Sequence, residues 1–278
     1  MEMQLPIPIF QEDGKLITRL EYKKPKVGVL TRVQGIVQQG NVWLGMVEFI
    51  AGCTVALIGK DDSQVTDQAK IKKLVLAIPY NSAEAVVIKI MATQNEDDVI
   101  PGGYSCPDCK TKCMPAYEPE SGIDERDRVS MLEVRCIDTE GLTNEILCRP
   151  EEPVQFQDTR TGHTIETVES VSIRYPTLAD CMSAARKVPH GKDAALQLEI
   201  YVQAIFAVNG RPVDKVWNNI WGMQFFNNVY PRDIRQIGDV LESYGIKKTL
   251  PKTCQSCGHQ WEAPVNTSNF FASGLRPA

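Results

Sequence analysis

Cys254-Gln255-Ser256-Cys257-Gly258-His259-Gln260-Trp261 is the stretch on which the reading of this chain turns. Two residues between cysteines let a tight turn aim both thiolates at one ion, and the residues that follow read as a short strand leaving the turn. One such pair is weak evidence. The sequence repeats it at Cys106-Pro107-Asp108-Cys109, and two knuckles supply the four sulfurs of a closed tetrahedral site. A closed shell leaves no position for water, so the expected ion is a structural zinc and not a Lewis acid. About half the chain separates the two pairs, far more than in a compact zinc ribbon, so the fold has to bring them together. The metal would then be a long-range staple whose binding energy is folding energy. The competing reading is that the cysteines are separate reduced thiols.

Working outward, Cys113 extends the first pair to Cys106, Cys109 and Cys113, a spacing that could offer three thiolates to an iron–sulfur cluster. In the zinc reading Cys113 is a spare thiol. His259 could replace a cysteine ligand, but beside Cys257 it is expected to shape the turn. Cys53, Cys136, Cys148 and Cys181 sit in apolar or β contexts and read as small buried hydrophobes. The opening Met-Glu-Met-Gln-Leu-Pro has no basic segment followed by an apolar run, so the nine cysteines point to a reducing cytoplasm and not to a disulfide framework.

With 278 residues the chain is long enough for one large domain or two modest ones with a real core. Hydrophobic residues at 43% and charged residues at 23% are globular values, which excludes wholesale disorder. Lys plus Arg number 30 against 35 Asp plus Glu, and the resulting net charge of −5 opposes bulk attraction to nucleic acid or anionic lipid. The only membrane candidate, Val42 to Gly59, is interrupted by Glu48 and closed by polar residues, and reads as a buried helix or helix pair.

The pattern predicts an α+β chain in three parts. Residues 1–95 read as a mainly helical N-terminal domain: an extended proline-rich opening, then helix from Val27 to Thr93, with Trp43, Val47, Ile50 and Ala51 on one face. Asp61 to Asp67 is a polar break, and Asn81 with Glu84 has capping-box spacing. The acidic run Asn95-Glu96-Asp97-Asp98 and Pro101-Gly102-Gly103 read as a solvated loop. Residues 96–175 hold the first knuckle and two antiparallel hairpins. One hairpin joins Val129–Asp138 to Asn144–Cys148 across Thr139-Glu140-Gly141; the other joins Val154–Asp158 to Thr164–Arg174 across Thr161-Gly162-His163, with His163 an exposed turn residue. Residues 176–278 return to helices and carry the second knuckle. Thr177 with Asp180 forms an Asp variant of the capping box, and Asp193 caps a helix bearing Leu198, Val202, Ile205 and Phe206. Two further stripes are Trp217, Ile220, Trp221 and Phe225, and Ile234, Ile237, Leu241 and Tyr244 closed by Gly245. Lys and Arg are not interleaved with these aromatics, so the stripes read as core and not as a base-stacking platform.

No nucleophile elbow, zincin motif, phosphate-binding loop or dinucleotide fingerprint occurs. His163, His190 and His259 pair with no nucleophile by local spacing, and neither cysteine pair has the βαβ context of a redox motif. The expectation is a protein that is not an enzyme and has no small-molecule substrate.

The order of motifs carries a resemblance. Leu5-Pro6, Arg174-Tyr175-Pro176-Thr177-Leu178-Ala179-Asp180, the run Cys254 to Gly258 and Asn269-Phe270-Phe271 follow one another along the chain. In this order the sequence resembles the baseplate hub and tail-assembly family of contractile-tailed, T-even-type phages. The resemblance implies a virion or assembly component of the baseplate hub, located in the tail and in the infected host cytoplasm, with other hub and tail tube proteins as partners. It also implies Cys106, Cys109, Cys254 and Cys257 as metal ligands and Phe270 and Phe271 as a contact element. Cys113 and the loop from Pro115 to Arg128 depart from it. The residues agree on an interaction role: two adjacent aromatics between Pro264 and Ala278 stand among Asn, Thr, Ser, Gly and Pro, and such a segment docks on its own domain or on a neighbour. The rival functions are a zinc-ribbon nucleic-acid-binding protein, which the acidic balance opposes, and an iron–sulfur protein.

Overall fold

The computed structural model describes residues 1–93, 104–113, 117–118, 123–124, 128, 132–157, 163–189, 192–247 and 249–264. The acidic run at 95–98, the residues 101–103, His190, Phe270, Phe271 and most of the loop from 115 to 128 lie outside these residues. Helices and strands are mixed, and every strand pair among the described residues is antiparallel.

The proline-rich opening is a strand. β1 (Glu2–Phe10) pairs with β2 (Leu16–Tyr22), which pairs with β3 (Thr54–Gly59) and then β4 (Gln64–Val65). Pro6 and Pro8 cannot donate to a ladder, and the register of β1 shifts between Gln4 and Ile9, where a side chain replaces the missing partner. The Ser82 hydroxyl takes the Ile7 N–H and donates to the Ile7 carbonyl, both at 2.7 Å. Four helices complete this half: α1 (Val27–Gln38), α2 (Val42–Cys53), α3 (Gln68–Leu76) and α4 (Tyr80–Ala92). Asn41 caps α2 through the Leu44 N–H, and Asp67 caps α3 through the Lys70 N–H. Leu5, Ile9, Leu20, Ile50, Leu57, Ile71, Val86 and Ile90 meet in one buried core.

Two expectations for this half are corrected. The stretch from Val27 to Thr93 is not continuously helical, because α2 passes directly into β3 at Thr54. Thr54, Val55 and Ile58 are β-branched and sit more easily in a strand than in a helix. Asn81 caps nothing at its own helix, whose first residue is Tyr80. Its amide nitrogen instead donates to the carbonyls of Leu241 at 2.8 Å and Tyr244 at 3.3 Å.

The second half has its own sheet, ordered β10 (Ile146–Cys148), β13 (Val171–Ile173), β14 (Ile205–Val208) and β15 (Arg211–Pro212). β11 (Val154–Gln157) and β12 (Thr164–Val168) pair as the expected hairpin requires, but the second strand stops at Val168 instead of running to Arg174, because Val171–Ile173 joins the other sheet; Thr161 and Gly162 of the expected turn lie outside the described residues. The other expected hairpin does not form: β9 (Val134–Arg135) pairs with β16 (Gly245–Ile246), while β10 pairs with β13. The short pair β7 (Tyr117–Glu118) and β8 (Ile123–Asp124) completes the middle region. α5 (Leu178–Lys187) packs on α6 (Asp193–Ala204), which also packs on a helical run made of α7 (Lys215–Trp217), a π-helical stretch at 218–222 and α8 (Met223–Asn227), while α9 (Pro231–Glu242) packs against β10. The wider π turn shifts the aromatic stripe, leaving Ile220 exposed while Phe225 is buried and Trp221 stacks on Phe156 at 4.8 Å. Asp193 is the first residue of α6, whose cap position is Lys192, and α6 ends at Ala204, so Ile205 and Phe206 belong to a strand.

The two halves are joined where the sequence runs Arg174 to Asp180. Thr177 caps α5, with the Asp180 carboxylate accepting the Thr177 N–H at 2.8 Å, and Arg174 pairs with the same carboxylate. Pro79 and Thr177 form a β-bridge. Tyr80 N–H donates to Pro176 and Leu178 N–H to Ile78, both at 3.0 Å, so the starts of α4 and α5 are fixed to each other.

Candidate metal centre

Two hairpins build the centre. In the first, β5 (Tyr104–Ser105) returns as β6 (Lys112–Cys113) around Cys106 to Cys109. In the second, β17 (Thr249–Thr253) returns as β18 (Gln260–Pro264) around Cys254 to Cys257, the strand expected after the knuckle. Both turns close by the same hydrogen bonds. Cys106 N–H donates to Thr111 and Lys110 N–H to Cys106; correspondingly, Cys254 N–H donates to His259 and Gly258 N–H to Cys254. The residue after each second cysteine takes a left-handed backbone, Lys110 with φ 60° and Gly258 with φ 73°.

This geometry gathers four sulfurs from 145 positions apart. The sulfurs of Cys106, Cys109, Cys254 and Cys257 all lie within 4.8 Å of one another. The first cysteine of each knuckle is buried and the second is exposed. Each buried one faces the exposed one of the other hairpin, with Cys106 to Cys257 at 3.7 Å and Cys109 to Cys254 at 3.5 Å. Zinc–sulfur bonds of about 2.3 Å in a tetrahedron put neighbouring sulfurs about 3.8 Å apart, so the spacing fits a single ion.

The electrostatics agree. Backbone N–H groups of Cys257 and Ser256 pull the Cys254 thiol down to about 6, and the Thr111 hydroxyl and backbone lower that of Cys109. A hydrogen bond from His259 also lowers Cys257, but desolvation and the crowding of the Cys109, Cys254 and Cys106 sulfurs push it up to about 12. Sulfurs this close cannot all ionise unless a cation sits among them, which is the chemistry of a metal site.

The first hairpin carries a fifth thiol. Cys113 is half-buried with its sulfur 4.0 Å from that of Cys254, and burial followed by the Cys254 contact raises it. His259 contributes its backbone carbonyl to the turn and stacks its exposed ring on Trp261. Cys53, Cys148 and Cys181 are buried, as the sequence implies, whereas Cys136 is only half-buried; burial raises all four. His163 is exposed.

Sequence reasoning missed what holds the centre against the body. Leu250 of β17 packs with Ile88 of α4 and Leu132, flanked by Ala92 and Ile246. Lys252 lies 4.9 Å above the Tyr104 ring, linking the hairpins. The alternation of Leu250 with polar neighbours in β17 is the only signal for this anchor, and Pro251 obscures it.

Among the described residues no helix is long and apolar enough to cross a membrane; the apolar run from Val42 to Gly59 is a helix followed by a strand. No protein-family model, curated protein or solved structure matches the chain.

Proposed function

We propose that this protein is a non-enzymatic structural or assembly component whose two hairpins are clasped by one structural zinc. The observation that carries the reading is the gathering of Cys106, Cys109, Cys254 and Cys257 at single-ion spacing by hairpins so distant in sequence. A shell of four thiolates has no vertex for a substrate, and its worth lies in tying parts of the chain together. All four sulfurs lie within 4.8 Å of one another, closer than thiolates held on different irons across bridging sulfides, which favours zinc over an iron–sulfur cluster.

The order of Leu5-Pro6, Arg174 to Asp180 and the second knuckle extends the proposal to a place. The protein works in the baseplate hub of a contractile-tailed phage, against other hub and tail tube proteins, with Phe270 and Phe271 as a contact element. Elemental analysis with a visible spectrum tests the first part: one zinc per chain and no colour is the expected result, and iron with visible absorption overturns it. Mass spectrometry of purified phage tails and of assembly intermediates from infected cells tests the second. Absence of the chain from both overturns the placement while leaving the metal reading intact. Nucleic-acid binding that weakens steeply with added salt would revive the zinc-ribbon rival.

A further inference from the structure

The four-sulfur shell does not account for Cys113. Its sulfur lies 4.0 Å from Cys254 Sγ, close to the edge of about 3.8 Å expected between neighbouring ligands of one tetrahedral zinc. Cys109 Sγ lies 3.5 Å from the same Cys254 sulfur. Two thiols of the first hairpin therefore flank one ligand of the second. Cys109 is exposed, and its sulfur has a partner besides the other ligands in the Thr111 side chain at 3.2 Å. Cys113 follows two residues after Thr111 on β6, which pairs Cys113 with Tyr104 and so holds the thiol beside the knuckle. It is no isolated surface cysteine.

We infer that Cys113 is an alternate fifth ligand, and that the centre exchanges Cys109 for Cys113 around a fixed set of Cys106, Cys254 and Cys257. The exchange needs no oxidant: the Cys113 thiol gives up its proton as its sulfur binds the ion, and the departing Cys109 thiolate takes one up. Cys109 is the ligand exchanged because it is the exposed member of its own hairpin, whereas Cys106 is fully buried in the turn. The consequence is a centre that opens from the first hairpin without losing its ion, a way to pass metal or to loosen the clasp during assembly. This rests on the single-ion centre proposed above.

The test compares zinc content and cobalt spectra of the full-length protein with those of Cys109→Ser, Cys113→Ser and the double variant. The wild type and both single variants should hold one ion with tetrathiolate cobalt absorption, and the double variant should lose its ion to a chelator that leaves the single variants loaded. Alkylation of the loaded wild type should label both Cys109 and Cys113 in part. Loss of the ion from Cys109→Ser as complete as from the double variant, or labelling confined to Cys113, overturns the exchange while leaving the four-thiolate centre standing. A wild type that binds no metal overturns the centre and the exchange with it.

Discussion

The hairpin around Cys106 and the hairpin around Cys254 turn through matching hydrogen bonds, yet they are built to different standards. The second has strands of five residues each, an apolar anchor at Leu250 and glycine at its left-handed position. The first has strands of two residues and lysine at the left-handed position. Spacing alone sets the local turn, and the hairpin's length and anchorage decide whether it stands without metal. On this contrast the second should stand as a preformed half-site, and the first should depend on the sulfurs it shares.

The largest test of that contrast is Cys254→Ser. It removes a buried ligand for which the centre has no substitute, since Cys113 exchanges only with Cys109, so the ion should be lost together with several kcal/mol of stabilisation. Hydrogen exchange should then show residues 104–113 losing protection while β17, β18 and the two large cores keep most of theirs. Equal loss from both hairpins would break the comparison. Acid should act in the same sense. The folded Cys254 thiol is held at about 6, below its ordinary value, so its thiolate is present at neutral pH and disappears as pH falls through that value. Metal retention, followed with a chromogenic chelator, should therefore be full at neutral pH and decline on acidification.

Leu250→Ala attacks the anchor and not the ion. Truncating a side chain that is 3% exposed against Ile88 and Leu132 should cost about 2–4 kcal/mol, read as a lower melting temperature of the zinc-loaded protein with zinc content unchanged. Gly258→Ala comes next. A Cβ at φ 73° costs about 1–2 kcal/mol, although nothing crowds the position, so the loss would be backbone strain alone. Its measure is the denaturation midpoint of the loaded protein.

These contrasts also explain what the sequence disclosed. The knuckles, the Thr177–Asp180 cap and the β11–β12 hairpin were legible because each depends on residues a few positions apart. The N-terminal sheet was not. Thr54–Gly59 and Ile205–Val208 both follow a helix with no glycine or proline between, and a short apolar run there has no period of its own to separate strand from helix. β9 and β10 look like a hairpin from their turn, but their partners are β16 and β13, a choice made by tertiary packing. Asn81 has capping spacing, yet it serves carbonyls at the far end of the chain. Leu250 was hidden for the same reason, since Ile88 and Leu132 are distant in sequence.

Lys110→Gly is the smallest and most discriminating change. Lys110 holds φ 60°, where a Cβ is unfavourable by about 1–2 kcal/mol, and glycine relieves that strain. Against this, glycine loses more backbone freedom on folding, about 0.5–1 kcal/mol, and the bond from Lys110 Nζ to the Pro107 carbonyl at 2.6 Å disappears from an exposed site where it is worth little. The balance should be a gain of about 0.5 kcal/mol that appears in both the loaded and the metal-free protein, because the strain belongs to the turn itself. The sharper outcome is in exchange: a first hairpin given the glycine of the second should hold its amides longer after zinc is removed. If protection of residues 104–113 in the metal-free protein does not rise, the weakness of the first half lies in its short strands and in the lack of an apolar anchor among the described residues, and the backbone strain at Lys110 contributes nothing to it.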